Sequence, residues 1–197
     1  VGMPLTAYAA QALATVLTVL FALRFMMFAG ESYSGARLAL PLPGSRYTVS
    51  LSAGGRLVEL RGALVFGVAD DIRRVLDANP GVRRVRLNSG GGALSEAQKL
   101  RALIMERGLD TDSTEGCSSA CVSAYVAGQH RLLRSSARLG FHLPRNPGFG
   151  LRSRLPASYA AELDYFTRIG LPLWFRLRWI ETGRTFWYPT PLQLRQS

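Results

Sequence analysis

Three short segments of the sequence bring together residue types that can do chemistry. The first is Asn88-Ser89-Gly90-Gly91-Gly92. Consecutive glycines remove the Cβ that would keep backbone N–H groups from facing a site. No Gly-Lys-Ser/Thr follows, so this is not a P-loop, and Gly90-x-Gly92 lacks the third glycine of a dinucleotide fingerprint. Read alone, it is a tight turn with or without a function. The second segment is Gly116-Cys117-Ser118-Ser119-Ala120-Cys121. A serine opening a helix is either an N-cap or an exposed nucleophile, and in the second case the next N–H can meet an oxyanion. The third is Ala137-Arg138-Leu139-Gly140-Phe141-His142, and His142 is one of only two histidines, the other being His130. A histidine ending an apolar strand serves either packing or proton transfer.

In this order the three segments resemble the ClpP/crotonase-like serine peptidases, over about residues 57 to 194. Members of that family have a strand ending in Asn-Ser-Pro-Gly-Gly; here Gly90 stands in the proline position of Asn88–Gly92. Their nucleophilic serine opens a helix and is followed nine residues later by Ala-Gly. Ser119 stands nine residues before Gly128 of Ala127-Gly128, and His142 follows Ser119 by 23. Cys117-x-Ser119-Ala120-Cys121 with Gly140-Phe141-His142 is similar to bacterial ClpP-like proteins that are exported or membrane-bound.

The resemblance implies an α/β fold, a ClpP/crotonase-like spiral of βαβ units preceded by one N-terminal transmembrane helix. It implies a serine-type peptidase with Ser119 as nucleophile and His142 as base. The N–H groups of Gly91 and Ala120 would form the oxyanion hole. No cofactor is expected, and two cysteines with one nearby histidine do not make a convincing metal site. The third triad member is Glu181, shortly before the stretch 185–190 that resembles the family's C-terminal pattern, or else Asp164. Ser118 is a rival nucleophile, because Gly116-Cys117-Ser118-Ser119-Ala120 nearly spells G-x-S-x-G; the spacing to Ala127-Gly128 favours Ser119. Related signal-peptide peptidases use a serine and a downstream lysine. The single lysine, Lys99, precedes the serine and excludes that chemistry. Cys117 and Cys121 lie one helical turn apart, about 6 Å between Cα atoms. They form a disulfide across the nucleophile turn or remain two buried thiols. A non-catalytic scaffold that binds peptides or partner subunits is the alternative reading of the same residues.

The elements that must position these residues follow from periodicity. Residues 47–51 and 56–60 alternate on either side of Ala53-Gly54-Gly55, which predicts a hairpin. Helical spacing runs over 66–79 and 95–107, and residues 82–87 and 109–113 read as strands. Residues 118–127 read as a helix, 131–133 and 138–141 as short strands, and 158–169 and 173–181 as helices. Strands alternating with helices predict parallel crossovers.

Charge divides the chain. The sum of 24 Lys+Arg and 13 Asp+Glu is +11. Residues 1–30 hold only Arg24, residues 31–130 sum to +2, and residues 131–197 sum to +8, with eleven arginines against three acids. Without a zinc-finger, basic-zipper or RNP pattern, nucleic acid is not the expected partner. The uncharged run over residues 5–23 is long enough to span a bilayer, as an anchor or as a cleaved signal. The expected organisation is an anchor or signal at 1–30, a linker at 31–46 and the ClpP/crotonase-like domain at 47–197. The expected place is the bacterial inner membrane, single-pass, with the domain on the periplasmic side, although the flanking Arg24, Arg37 and Arg46 pull toward the cytoplasm. Residues 171–180, LPLWFRLRWI, read as a membrane-interface helix or as a subunit-interface or core helix. Arg145, Arg152 and Arg154 form an arginine-rich loop after His142, fit for anionic lipid or an acidic substrate. The expected partners are a peptide or protein substrate, the membrane, and further copies of the chain as a homo-oligomer.

Overall fold

The computed structural model describes residues 18, 47–52, 54–143, 157–183 and 185–197. The expected membrane span and linker therefore lie outside the described residues, Thr18 excepted, as does the arginine-rich loop at 145–154. Among the described residues no helix is long and apolar enough to cross a membrane. The chain divides into two units, Val1–Leu40 and Pro41–Ser197. In the first, only Thr18 is described, and it is helical. The second is an α/β fold.

Strands β1 (Tyr47–Leu51) and β2 (Leu57–Gly62) form the expected antiparallel hairpin, with Val49 opposite Leu60. From β2 the chain crosses over through helix α1 (Val68–Ala78) to β3 (Arg84–Asn88), then through α2 (Leu94–Glu106) to β4 (Asp110–Ser113). A short strand β5 (Cys117–Ser118) and helix α3 (Ala120–Tyr125) follow before β6 (Arg131–Leu133). Strands β2, β3, β4 and β6 are parallel neighbours in a five-stranded sheet of order β1-β2-β3-β4-β6. β5 pairs in parallel with β7 (Leu139–Gly140) in a separate two-stranded sheet. The C-terminal part adds α4 (Ala157–Arg168), α5 (Leu173–Glu181) and α6 (Pro191–Arg195).

Alternation along the strands separates the two faces of the large sheet. Val58, Leu60, Val85 and Leu87 are fully buried and pack with Ile72 of α1 and Leu100, Leu103 and Ile104 of α2. The intervening positions carry charge. Arg86 grips Asp112 with two bonds of 2.8 and 2.7 Å, and Arg84 meets Asp110 at 3.5 Å. Opposite charges on neighbouring strands stabilise such a polar face modestly. Glu96 is buried in the helical layer, and its carboxylate answers Lys99 at 2.8 Å and the Ala69 N–H in the first turn of α1 at 3.2 Å. An acceptor at a helix N-terminus is favourable, which makes burial of this acid tolerable.

α6 has no counterpart in the expected elements. Its start is a capping box, in which Thr190 and Gln193 each bind the other's backbone N–H, with Pro191 at the first helical position.

Candidate active site

The site begins where β3 ends. The Asn88 carboxamide oxygen accepts from the N–H groups of Thr114 and Glu115, each at 3.0 Å, and its amide donates to Glu59 at 2.8 Å. Asn88 thus staples the loop that enters the serine turn. Ser89 N–H then donates to the Gly116 carbonyl at 3.0 Å, and Ser118 N–H to the Ser89 carbonyl at 2.9 Å. These bonds lay the glycine turn against the serine turn. The contact is so close that a Cβ on Gly91 would stand 2.7 Å from Ser119 Cβ and 2.8 Å from the Ser118 carbonyl. Gly91 also has φ of 102°, in the region that favours glycine.

Ser119 is the only non-glycine residue with positive φ among the described residues, at φ 57° and ψ −130°. Such a backbone costs about 1–3 kcal/mol and persists only when its surroundings over-determine it. Here they do. Ser119 N–H donates to the Gly140 carbonyl at 2.8 Å, and Cys117 N–H to the Arg138 carbonyl at 3.0 Å. Cys117 and Cys121 form a disulfide that straddles Ser119, with Cα atoms 5.4 Å apart. Gly128 completes the support, because the chain after α3 passes so close to Thr111 that a Cβ there would stand 2.6 Å from its backbone nitrogen.

The β5–β7 pairing also delivers the histidine, two residues past the end of β7. His142 Nε2 lies 2.6 Å from Ser119 Oγ, and Nδ1 lies 2.6 Å from the Leu143 carbonyl oxygen. A carbonyl only accepts, so the Nδ1 contact requires the proton on Nδ1. That leaves the Nε2 lone pair to accept from the Ser119 hydroxyl. The imidazole packs on Phe186, ring centroids 4.4 Å apart, and Trp179 Nε1 donates to the His142 carbonyl at 3.1 Å. The Ser118 side chain packs over Gly140, and no hydrogen bond joins it to His142 among the described residues. The structure therefore brings Ser119 and His142 together and leaves Ser118 apart from the imidazole.

The two acids expected to complete a triad are not at the imidazole. Glu181 is 65% exposed and pairs with Arg178 at 3.4 Å. α5 turns Trp179 inward toward His142, and two residues further on a helix points about 200° away. Asp164 is likewise 65% exposed, paired with Arg168 at 3.0 Å. The inward acid of α4 is Glu162, two positions earlier and 2% exposed. Its carboxylate binds Arg101 at 2.8 Å and Gln98 at 2.9 Å. Arg101 in turn lies 4.0 Å over the Tyr165 ring. Burial pushes the Tyr159 phenol well above the usual tyrosine range, and the nearby Glu162 adds to it.

The expected oxyanion donors differ in availability. The Gly91 N–H donates to Ser89 Oγ at 3.1 Å. The Ala120 N–H, at the open start of α3, has no partner among the described residues. The serine proton can thus pass to His142, with one N–H free and one occupied nearby. No group of three or more His, Cys, Asp and Glu side chains converges as a metal site among the described residues.

Sequence reasoning missed the Leu143 carbonyl, Trp179, Phe186 and Glu162. A backbone carbonyl leaves no signature in the sequence. The aromatic pair stood in view in 171–190 but without a sign of which face it would turn.

No family model matches the chain, and no curated protein matches it. Among solved structures it is similar to ClpP1 from Listeria monocytogenes, at 15% identity and a TM-score of 0.57, over 73% of this chain and 87% of that one. It is similar to the ClpP protease catalytic domain from Plasmodium falciparum, at 14% identity and a TM-score of 0.58, over 73% and 81%. It is also similar to methylmalonyl CoA decarboxylase, at 12% identity and a TM-score of 0.50, over 72% and 62%. The chain has a ClpP/crotonase-like fold.

Proposed function

We propose that the protein is a serine peptidase in which Ser119 attacks a peptide carbonyl and His142 is the general base. The observation that carries this reading is the 2.6 Å contact between His142 Nε2 and Ser119 Oγ, with the opposite ring nitrogen held in the tautomer a base requires. As Ser119 Oγ bonds to the carbonyl carbon, its proton passes to Nε2. The oxyanion meets the Ala120 N–H, and the Gly91 N–H once Ser89 Oγ gives it up; each such donor is worth about 10²–10³ in rate. Collapse expels the amine, which takes the proton from Nε2, and water then hydrolyses the acyl-serine by the same route. The imidazolium is supported by the Leu143 carbonyl dipole instead of a carboxylate. This predicts an enzyme slower than one with a full triad.

One observation favours a second reading, a non-catalytic scaffold that binds peptides: neither Glu181 nor Asp164 reaches His142. An acyl-CoA function is less well supported, because the serine–histidine pair would have no part in it. The test is to incubate the full chain with a complex peptide mixture and read new termini by mass spectrometry. Cleavage that disappears in Ser119→Ala and His142→Ala supports the peptidase. Cleavage that persists in Ser119→Ala overturns it, and binding without cleavage favours the scaffold.

We further propose a membrane anchor or signal at residues 1–30, a linker at 31–46 and a periplasmic domain at 47–197. The Cys117–Cys121 disulfide supports an oxidising compartment. The exposed Leu173, Trp174 and Leu177 on α5 support assembly with further copies of the chain. A reporter fused after Ser197 that is active only in the cytoplasm would overturn the placement.

A further inference from the structure

A cavity of about 20 Å³ opens beside Ser119 and His142, closed on its far side by α4 and α5. That is room for about one water molecule, against about 150 Å³ for a cavity that takes a benzene ring. Its walls include the buried rings of Phe141, Tyr159, Phe166 and Trp179. Those rings brace one another. Phe166 and Trp179 lie 4.9 Å apart, and Phe141 rests edge-on against Phe175 at 5.0 Å. Trp179 is tethered as well, because its indole N–H holds the His142 carbonyl at 3.1 Å, so it cannot swing aside without releasing the histidine's backbone. The polar end is Glu162, fixed by Arg101 and Gln98, and Arg101 also reaches Ser123 at 3.1 Å. Withdrawing Glu162 would break a buried ion pair.

We propose that this cavity receives the side chain on the acyl side of the scissile bond and limits it to glycine, alanine or serine. The inference rests on the reading of Ser119 and His142 as a peptidase pair. Bonding of Ser119 to the carbonyl carbon puts that residue's side chain against the walls shared by Ser119 and His142. A methyl or hydroxymethyl group fills about that space. A leucine or phenylalanine side chain needs volume that close-packed, mutually braced rings do not yield. The carboxylate at the polar end excludes aspartate and glutamate in the same way.

The test uses the full chain and a series of N-acyl α-aminoalkyl diphenyl phosphonates that differ only in carrying the alanine, leucine or phenylalanine side chain. A small alkyl fluorophosphonate, which has no such side chain, is the control. The alanine analogue is expected to inactivate at least about tenfold faster than the other two, within the range that added methylenes give in a tight pocket. Leu94→Ala, which trims a half-buried wall residue, is expected to raise the leucine-to-alanine rate ratio about tenfold. A leucine analogue as fast as the alanine one, or a ratio unmoved by Leu94→Ala, overturns the size limit while the fluorophosphonate still reacts. A fluorophosphonate that fails to react overturns the underlying peptidase reading, and the size limit with it.

Discussion

Ser119 sits in a turn bound on several sides, with β5 paired to β7, the Ser89 carbonyl on one flank and a disulfide reaching across from Cys117 to Cys121. His142 is held differently. Its ring has one carbonyl behind it and Phe186 beside it, its own carbonyl is tied to Trp179, the N–H of the next residue, Leu143, donates to the Gly183 carbonyl, and no acid among the described residues bonds to it. The serine is over-determined and strained; the histidine depends on side chains from the C-terminal segment. The difference teaches where the site can be tuned. Changes at the serine turn should cost stability and activity together, whereas changes around the histidine should cost activity with little loss of fold.

The largest expected effect is on the pair itself. Ser119→Ala should abolish turnover, and His142→Ala should lower kcat by about 10⁴–10⁶-fold, while Ser118→Ala stays near wild type. Peptide hydrolysis assays check all three. Next is the glycine turn. Gly91→Ala forces a Cβ into Ser119 at a backbone angle alanine resists. It should cost about 1–3 kcal/mol by denaturant titration and about 10²-fold in kcat. Breaking the disulfide with Cys117→Ala and Cys121→Ala should cost about 2 kcal/mol, as the chain-entropy model gives for so short a loop. Activity should fall with it, because the disulfide straddles the strained serine. On the histidine side, Phe186→Leu removes the half-exposed ring that packs on the imidazole. It should lower kcat about tenfold by loosening the ring's position, with little change in Tm because the side chain lies largely at the surface. If Phe186→Leu unfolds the protein and the cysteine variants leave activity untouched, the contrast is wrong.

The smallest effect is on alkaline stability. Burial pushes Tyr125 up to about 12 and Tyr159 further still. A tyrosine with a raised folded pKa keeps its proton while the unfolded chain loses it near pH 10. Stability from these groups is therefore complete below about pH 10 and falls as pH rises through the folded values. Urea titrations at pH 8 and pH 11 should show a lower midpoint at pH 11.

Much of the serine side was legible in the sequence, and less of the histidine side. The hairpin and the crossovers follow from periodicities and turn residues that act over a few positions, and the spacing from Ser119 to His142 is what the family resemblance implies. Glu181 and Asp164 misled because choosing an acid requires knowing a helix's phase. α5 is apolar nearly all round, with Leu173, Trp174, Phe175, Leu177, Trp179 and Ile180 within one helix, so its pattern does not say that Phe175 and Trp179 face inward. On α4 the acids at 162 and 164 look alike in sequence, and only Arg101 on α2 distinguishes them. The cap of α6 was readable from Thr190, Pro191 and Gln193, but nothing in the site depends on it.

The central claim is that Ser119, activated by His142, is a nucleophile. The most direct measurement is to react the full chain with an alkyl fluorophosphonate and map the adduct by tandem mass spectrometry. The account predicts one adduct, on Ser119, formed far more slowly in His142→Ala. An adduct on Ser118, or no adduct on a folded protein, would contradict it.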